Sequence, residues 1–155
     1  DPLLDYLTDL GTHRSCDFEG PVMVKPVKET REMIAGMAPL LDGTVYHFCE
    51  GPESLLAYSI ASFREDEGLS LILADDVAQA HGLQSDLPMK RITLSVFSAL
   101  DGVGLTAAVA SVLAQAGIAC NMVAGVHHDH AFVPAESAEQ AVLLLKSLAD
   151  SPSKG

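Results

Sequence analysis

Two rhythms of apolar and polar positions run through the second half of this chain. Ile92, Leu94 and Val96 alternate with Thr93, Ser95 and Phe97, the two-residue period of a half-buried strand. After the turn Asp101-Gly102-Val103-Gly104, the apolar residues Leu105, Ala108, Val109, Val112, Leu113 and Ala116 fall on one stripe of a helix, and Gly117 stands where a C-terminal cap belongs. An apolar strand follows from Ile118 to Val126, then the polar tip His127-His128-Asp129-His130, then a second strand from Ala131 to Val133. The tip makes an antiparallel hairpin of the two. Ser137, three residues before Gln140, has capping-box spacing ahead of Ala138, Ala141, Val142, Leu145 and Leu148 on one helical face.

Strand, helix, two-stranded hairpin and helix in that order predict an α+β, ferredoxin-like unit, an antiparallel sheet with helices packed on one face. Its last strand is missing, so the open edge must be completed by the first half of the chain or by a partner subunit. The first half reads less clearly. Met33, Ile34, Met37, Leu40 and Leu41 recur at helical spacing between Lys28 and Leu41, Asp42-Gly43 stops the run, and Thr44 to Cys49 alternates as a strand. A weak internal repeat relates Phe63-Arg64-Glu65-Asp66-Glu67-Gly68 and the apolar run after it to the His-rich tip and its following strand. On that repeat Leu55 to Phe63 reads as a strand, although Leu56, Ile60 and Phe63 also suit a helix. The expected organisation is an N-terminal appendage at 1–27 with a short helix at Pro2 to Leu10, a first unit at 28–88, a second at 89–150 and a tail at 151–155.

Composition narrows the partners. The 155 residues are 48% hydrophobic and carry a formal charge of −12, with the nine basic residues scattered. That disfavours nucleic acid and anionic membranes, and no apolar run approaches the roughly 20 residues of a membrane span. Cys16, Cys49 and Cys120 are odd in number and far apart, as free thiols of a cytoplasmic protein would be. Asp1 to Leu10 lacks the basic start and apolar core of a signal peptide, and the absent initiator Met suggests a trimmed start.

The candidate chemistry is concentrated in the second half. Gly102 and Gly104 let backbone approach a ligand closely, and the free N–H groups of the helix's first turn can hold a carboxylate. The plainer alternative is a tight turn with Asp101 as helix cap. Asn121 interrupts an apolar strand and needs a partner, either ligand or neighbouring backbone. His127, His128, Asp129 and His130 have metal-binding chemistry, but consecutive residues of a hairpin point to opposite faces, which favours hydrogen bonding of the tip. Glu65-Asp66-Glu67 reads as a solvated turn, and Cys120 as a packed thiol. The sequence has no nucleophile elbow, P-loop or complete dinucleotide fingerprint.

Asp101-Gly102-Val103-Gly104-Leu105, a helix, Gly117-Ile118-Ala119-Cys120-Asn121 and a hairpin resemble the D-x-x-G-L turn and the following G-I motif of ACT domains. The strings at 91–96, 103–109, 121–125 and 128–134, with Phe63 to Leu71, are similar to a bacterial group of small tandem-ACT proteins of uncharacterised function. The likeness extends, more distantly, to the tandem-ACT amino-acid sensors of eukaryotes. The resemblance implies a regulatory module with no catalytic activity or cofactor of its own. It implies an amino acid bound at Asp101, Gly102, Val103, Gly104, Leu105 and Asn121, with Glu65, His128, Asp129 and His130 behind them or at an interface. The alternatives are an assembly module without ligand, such as a homodimer, and a small His-dependent or metal-dependent enzyme.

Overall fold

The computed structural model describes residues 25–151. The elements are α1 (Thr30–Ala35), β1 (Pro39–Glu50), a 3₁₀ turn (Glu53–Tyr58), β2 (Ala61–Arg64), β3 (Leu69–Ala74) and α2 (Asp75–Ala80), then β4 (Met89–Leu94), α3 (Leu105–Gln115), β5 (Asn121–Ala124), β6 (Asp129–Pro134) and α4 (Ala138–Asp150). All six strands form one antiparallel sheet in the order β2-β3-β1-β4-β6-β5. The expected helix at Pro2 to Leu10, Cys16 and most of the tail lie outside the described residues.

The strand missing from the second half comes from the first. Pro39, Leu40 and Leu41 pair with Leu94, Thr93 and Ile92, and Val45 and Tyr46 pair with Lys90 and Met89. β1 and β4 therefore belong to both halves: β2-β3-β1-β4 is one four-stranded unit and β1-β4-β6-β5 the other. This demand overrides the helical spacing at 28–41. The helix stops at Ala35, and Leu40 and Leu41 become strand because β4 needs a partner along its length. Asp42-Gly43 is correspondingly a bulge within β1, where the register slips between Leu41 and Val45. Glu53 to Tyr58 is a 3₁₀ turn, so the segment read as strand from Leu55 becomes strand only at Ala61. The apolar run from Ile118 is strand only from Asn121 to Ala124.

The helices lie on one face of the sheet. Ile92, Leu94, Ala131 and Val133 from the strands, Leu105, Val109 and Leu113 from α3, and Ala141 and Leu145 from α4 make the larger core, which Met33 and Met37 close. A smaller core beside it holds Leu55, Leu69, Leu71, Leu73 and Ala78. Gly117, at φ +71°, turns the chain out of α3 as the sequence predicts, whereas the Ser137 side chain makes no capping hydrogen bond to α4. Among the described residues no helix is long and apolar enough to cross a membrane.

Candidate functional site

Between β4 and α3 the chain makes a turn whose shape depends on a left-handed residue. Gly104 has φ +107° and serves as the N-cap of α3 with no side chain to cap it. The first helical bond runs from the Ala108 N–H to the Gly104 carbonyl at 2.9 Å, so the N–H groups of Leu105, Thr106 and Ala107 have no partner within the helix. Asp101, the expected helix cap of the plainer reading, does not cap α3. Its carboxylate meets Lys28 Nζ at 2.6 Å on the surface, and that hydrogen bond holds its pKa below the usual carboxylate value.

The segment before β1 straps this turn in place. Val27 donates its N–H to Phe97 O at 2.8 Å and accepts from the Ala99 N–H at 3.0 Å. Thr30 Oγ1 donates to the Val103 carbonyl at 2.6 Å. A side chain on Gly102 would lie 2.9 Å from Met33 Sδ, and one on Gly104 would lie 2.6 Å from Thr30 Cγ2. The glycines thus serve close backbone packing against α1, a reason the sequence alone did not show.

A pocket of about 140 Å³ opens beside the turn, lined by Met33, Ser98, Gly102, Gly104, Leu105, Thr106 and Asp129 among others. Asp129 Oδ2 accepts from Ser98 Oγ at 2.9 Å, which fixes the carboxylate at the start of β6. The pocket is thus bordered both by the positive end of α3 and by a carboxylate.

The other expected residues spread out. Val103 does not line the pocket: its carbonyl accepts from Thr30 and its side chain is exposed. Asn121 sits at the far end of β5, exposed, opposite Phe132 and near Phe48, Ser85 and Met89. Glu65 is in the β2–β3 turn, where it accepts the Ser70 hydroxyl. The histidines diverge: His127 stacks on Phe97 with ring centroids 5.6 Å apart, His128 Nδ1 lies 3.3 Å from the Val96 carbonyl, and His130 Nδ1 lies 3.0 Å from Thr93 Oγ1 on the helix-free face. Burial, with Arg91 and His128 nearby, lowers the His130 pKa. Among the described residues no three His, Cys, Asp or Glu side chains come together as metal ligands. Burial pushes the thiols of Cys49 and Cys120 up, away from the reactive thiolate.

Two polar centres escaped the sequence reading. His47 is buried on the helix side, with Nε2 2.7 Å from Asp75 Oδ1 and Nδ1 accepting the Ser85 N–H at 3.0 Å. Asp42, in the β1 bulge, receives Tyr46 Oη at 2.6 Å, Arg91 Nη2 at 2.8 Å and the Thr44 N–H at 2.9 Å. In the sequence His47 was an ordinary member of an alternating run and Asp42 only the stop of a helical one.

Comparison with known families bears on both halves. ACT-domain models match residues 25–90 and 90–147. The chain belongs to the ACT family. Its tandem ACT architecture recurs in a Vibrio cholerae protein of unknown function, described as a "possible transport protein", at 44% identity and TM-score 0.69 over 77% of this chain and 94% of that one. An Agrobacterium tumefaciens protein is 21% identical with TM-score 0.58, covering 72% and 87% of the two chains. The ligand-free regulatory subunit of aspartate kinase from Thermus thermophilus shares the fold at 14% identity and TM-score 0.52, covering 70% and 95%. No curated protein matches the sequence. Tandem ACT domains are typically ligand-binding regulatory modules.

Proposed function

We propose that this ACT protein is a cytoplasmic, non-catalytic regulatory module that binds a small amino acid at the turn opening α3. The carrying observation is that the uncapped start of α3, at Leu105 and Thr106, and the Asp129 carboxylate line one small pocket. The N–H groups complement an α-carboxylate and Asp129 an α-ammonium. Gly102 and Gly104 let α1 pack closely against the turn that borders the pocket. Asp101 and Asn121, which the family likeness also suggested, have no part in this arrangement. The runner-up, an assembly module, draws on the unpaired outer edges of β2 and β5.

Thermal unfolding with each of the twenty amino acids at about 10 mM tests the reading. A ligand present at 100 times its Kd stabilises by about 2.7 kcal/mol, a rise of roughly 5–10 °C for a chain of this size. Asp129→Asn should remove that rise without lowering the unliganded Tm by more than a few degrees. No shift with any amino acid would overturn the proposal.

A further inference from the structure

The sheet face opposite the helices carries a second cleft. Laid flat, the edge strands β2 and β5 would stand about 24 Å apart, five strand spacings. Yet Ala61 of β2 and Val123 of β5 line the same clefts, so the sheet curls toward its helix-free side. Tyr46, Ile72, Met89 and Phe132 pave this concave face, and the Phe132 ring meets Tyr46 and Phe48 edge-on at centroid distances of 5.9 and 5.2 Å. Phe63 on β2 is 72% exposed beside them. The four paving residues are themselves buried, and Phe48 and Phe63 leave aromatic surface open above them.

The larger cleft holds about 490 Å³ between Phe48, Phe63, Ile72 and Val123. That volume suits a small organic molecule. Its polar groups have one sign. Glu50 and Glu65 stand at the rim with Ser70, whose hydroxyl donates to Glu65 and orients it. The nearest cation in the sequence, Arg64, is taken by Glu53 through contacts of 2.9 and 2.5 Å. Among the described residues neither Glu50 nor Glu65 has a cationic partner. Aromatic faces with unpaired carboxylates beside them select a positive charge, and the apolar walls select a hydrocarbon body. Free amino acids fit poorly, because their carboxylate would face Glu50 and Glu65.

We infer that the concave sheet face is a second ligand site, independent of the α3 turn, for a small organic ammonium ion carrying an aryl or alkyl body and no carboxylate. Titration calorimetry with three probes of similar shape tests it: 2-phenylethylammonium, 2-phenylethanol and 3-phenylpropanoate. The ammonium ion should bind at least about fivefold more tightly than the alcohol, and the carboxylate not measurably. Phe63→Ala, at an exposed position that leaves the core intact, should weaken the ammonium ion several-fold. The pair Glu50→Gln and Glu65→Gln should erase its advantage over the alcohol. Equal binding of all three probes, binding untouched by Phe63→Ala, or no binding would overturn the inference. So would a dimer in light scattering that Phe63→Ala converts to monomer, because a second copy of the chain would then be the occupant.

Discussion

Gly104→Ala tests whether α1 holds the turn as described. The residue sits at φ +107°, where an L side chain costs about 1–2 kcal/mol in backbone strain. The added Cβ would also lie 2.6 Å from Thr30 Cγ2, far inside contact distance. Relieving that overlap pushes Thr30 away and strains its bond to the Val103 carbonyl, another 1–2 kcal/mol or so. The expected loss is about 2–4 kcal/mol. With a urea m-value near 2 kcal/mol/M, the unfolding midpoint should fall by roughly 1–2 M.

Thr30→Ser separates the two contributions. Serine keeps the hydroxyl that bonds Val103 and removes the methyl that clashes. In the double variant the next Thr30 atom facing the new Cβ is Oγ1 at 3.2 Å, tight but tolerable. The double variant should therefore be about 1 kcal/mol more stable than the sum of the single effects predicts, a coupling that distant residues do not show. A Gly104→Ala midpoint within about 0.3 M of the parent, or strict additivity with Thr30→Ser, would refute the packing of α1 on this turn.

Two other predictions concern the sheet and the core. Burial opposes the charged form of Asp42, but hydrogen bonds from Tyr46, Thr44 and Arg91 outweigh it and hold its pKa at about 2 against an ordinary 3.8. That stability, about 1–2 kcal/mol after screening, is present above pH 3.8 and lost as pH falls through 2, so Asp42→Asn should flatten the parent's decline in urea midpoint between about pH 5 and 2. A parallel decline in both proteins would contradict this. Leu113→Ala, at a fully buried position of α3, should cost about 2–5 kcal/mol, while Leu143→Ala on α4, 68% exposed, should stay within about 0.5 kcal/mol by chemical denaturation.

Legibility in the sequence followed how local each signal was. The stripe from Leu105 to Ala116 with Gly117 after it needed only neighbours within one helix, and α3 stands where it was expected. The hairpin formed, but its turn is Gly125 to His128, two residues before the expected tip, so Asp129 and His130 belong to β6; Gly125 N–H to His128 O and Glu65 N–H to Gly68 O, each 2.9 Å, repeat one turn geometry in both halves. Leu40 and Leu41 misled because their helical spacing is a local property, while their pairing with Thr93 and Ile92 spans about a third of the chain. The site divided the same way. The motif pointed to Gly102, Gly104 and Leu105, but their place beside Asp129 in one pocket, and the departure of Asn121 to the opposite end of β5, depend on strand register. The concave face was invisible in the sequence, since curl belongs to the sheet as a whole.

The register also explains why the two halves are not functional copies. Tyr46 and Met89 pair with each other, and each begins the equivalent ladder, Tyr46 with Ala74 and Met89 with Pro134. A pseudo-twofold axis therefore passes between them, and the loop at Gly51-Pro52 corresponds broadly to the turn that opens α3. There the likeness ends. Gly51 faces the core, where an added Cβ would meet Leu71 Cδ1 at 2.8 Å, and Pro52 offers no N–H. The element that follows is a six-residue 3₁₀ turn rather than an eleven-residue helix. A run that short presents little dipole and few aligned donors. The first half thus supplies strands, and through α1 a wall, to the turn of the second half, and the proposed amino-acid site has no counterpart across the axis.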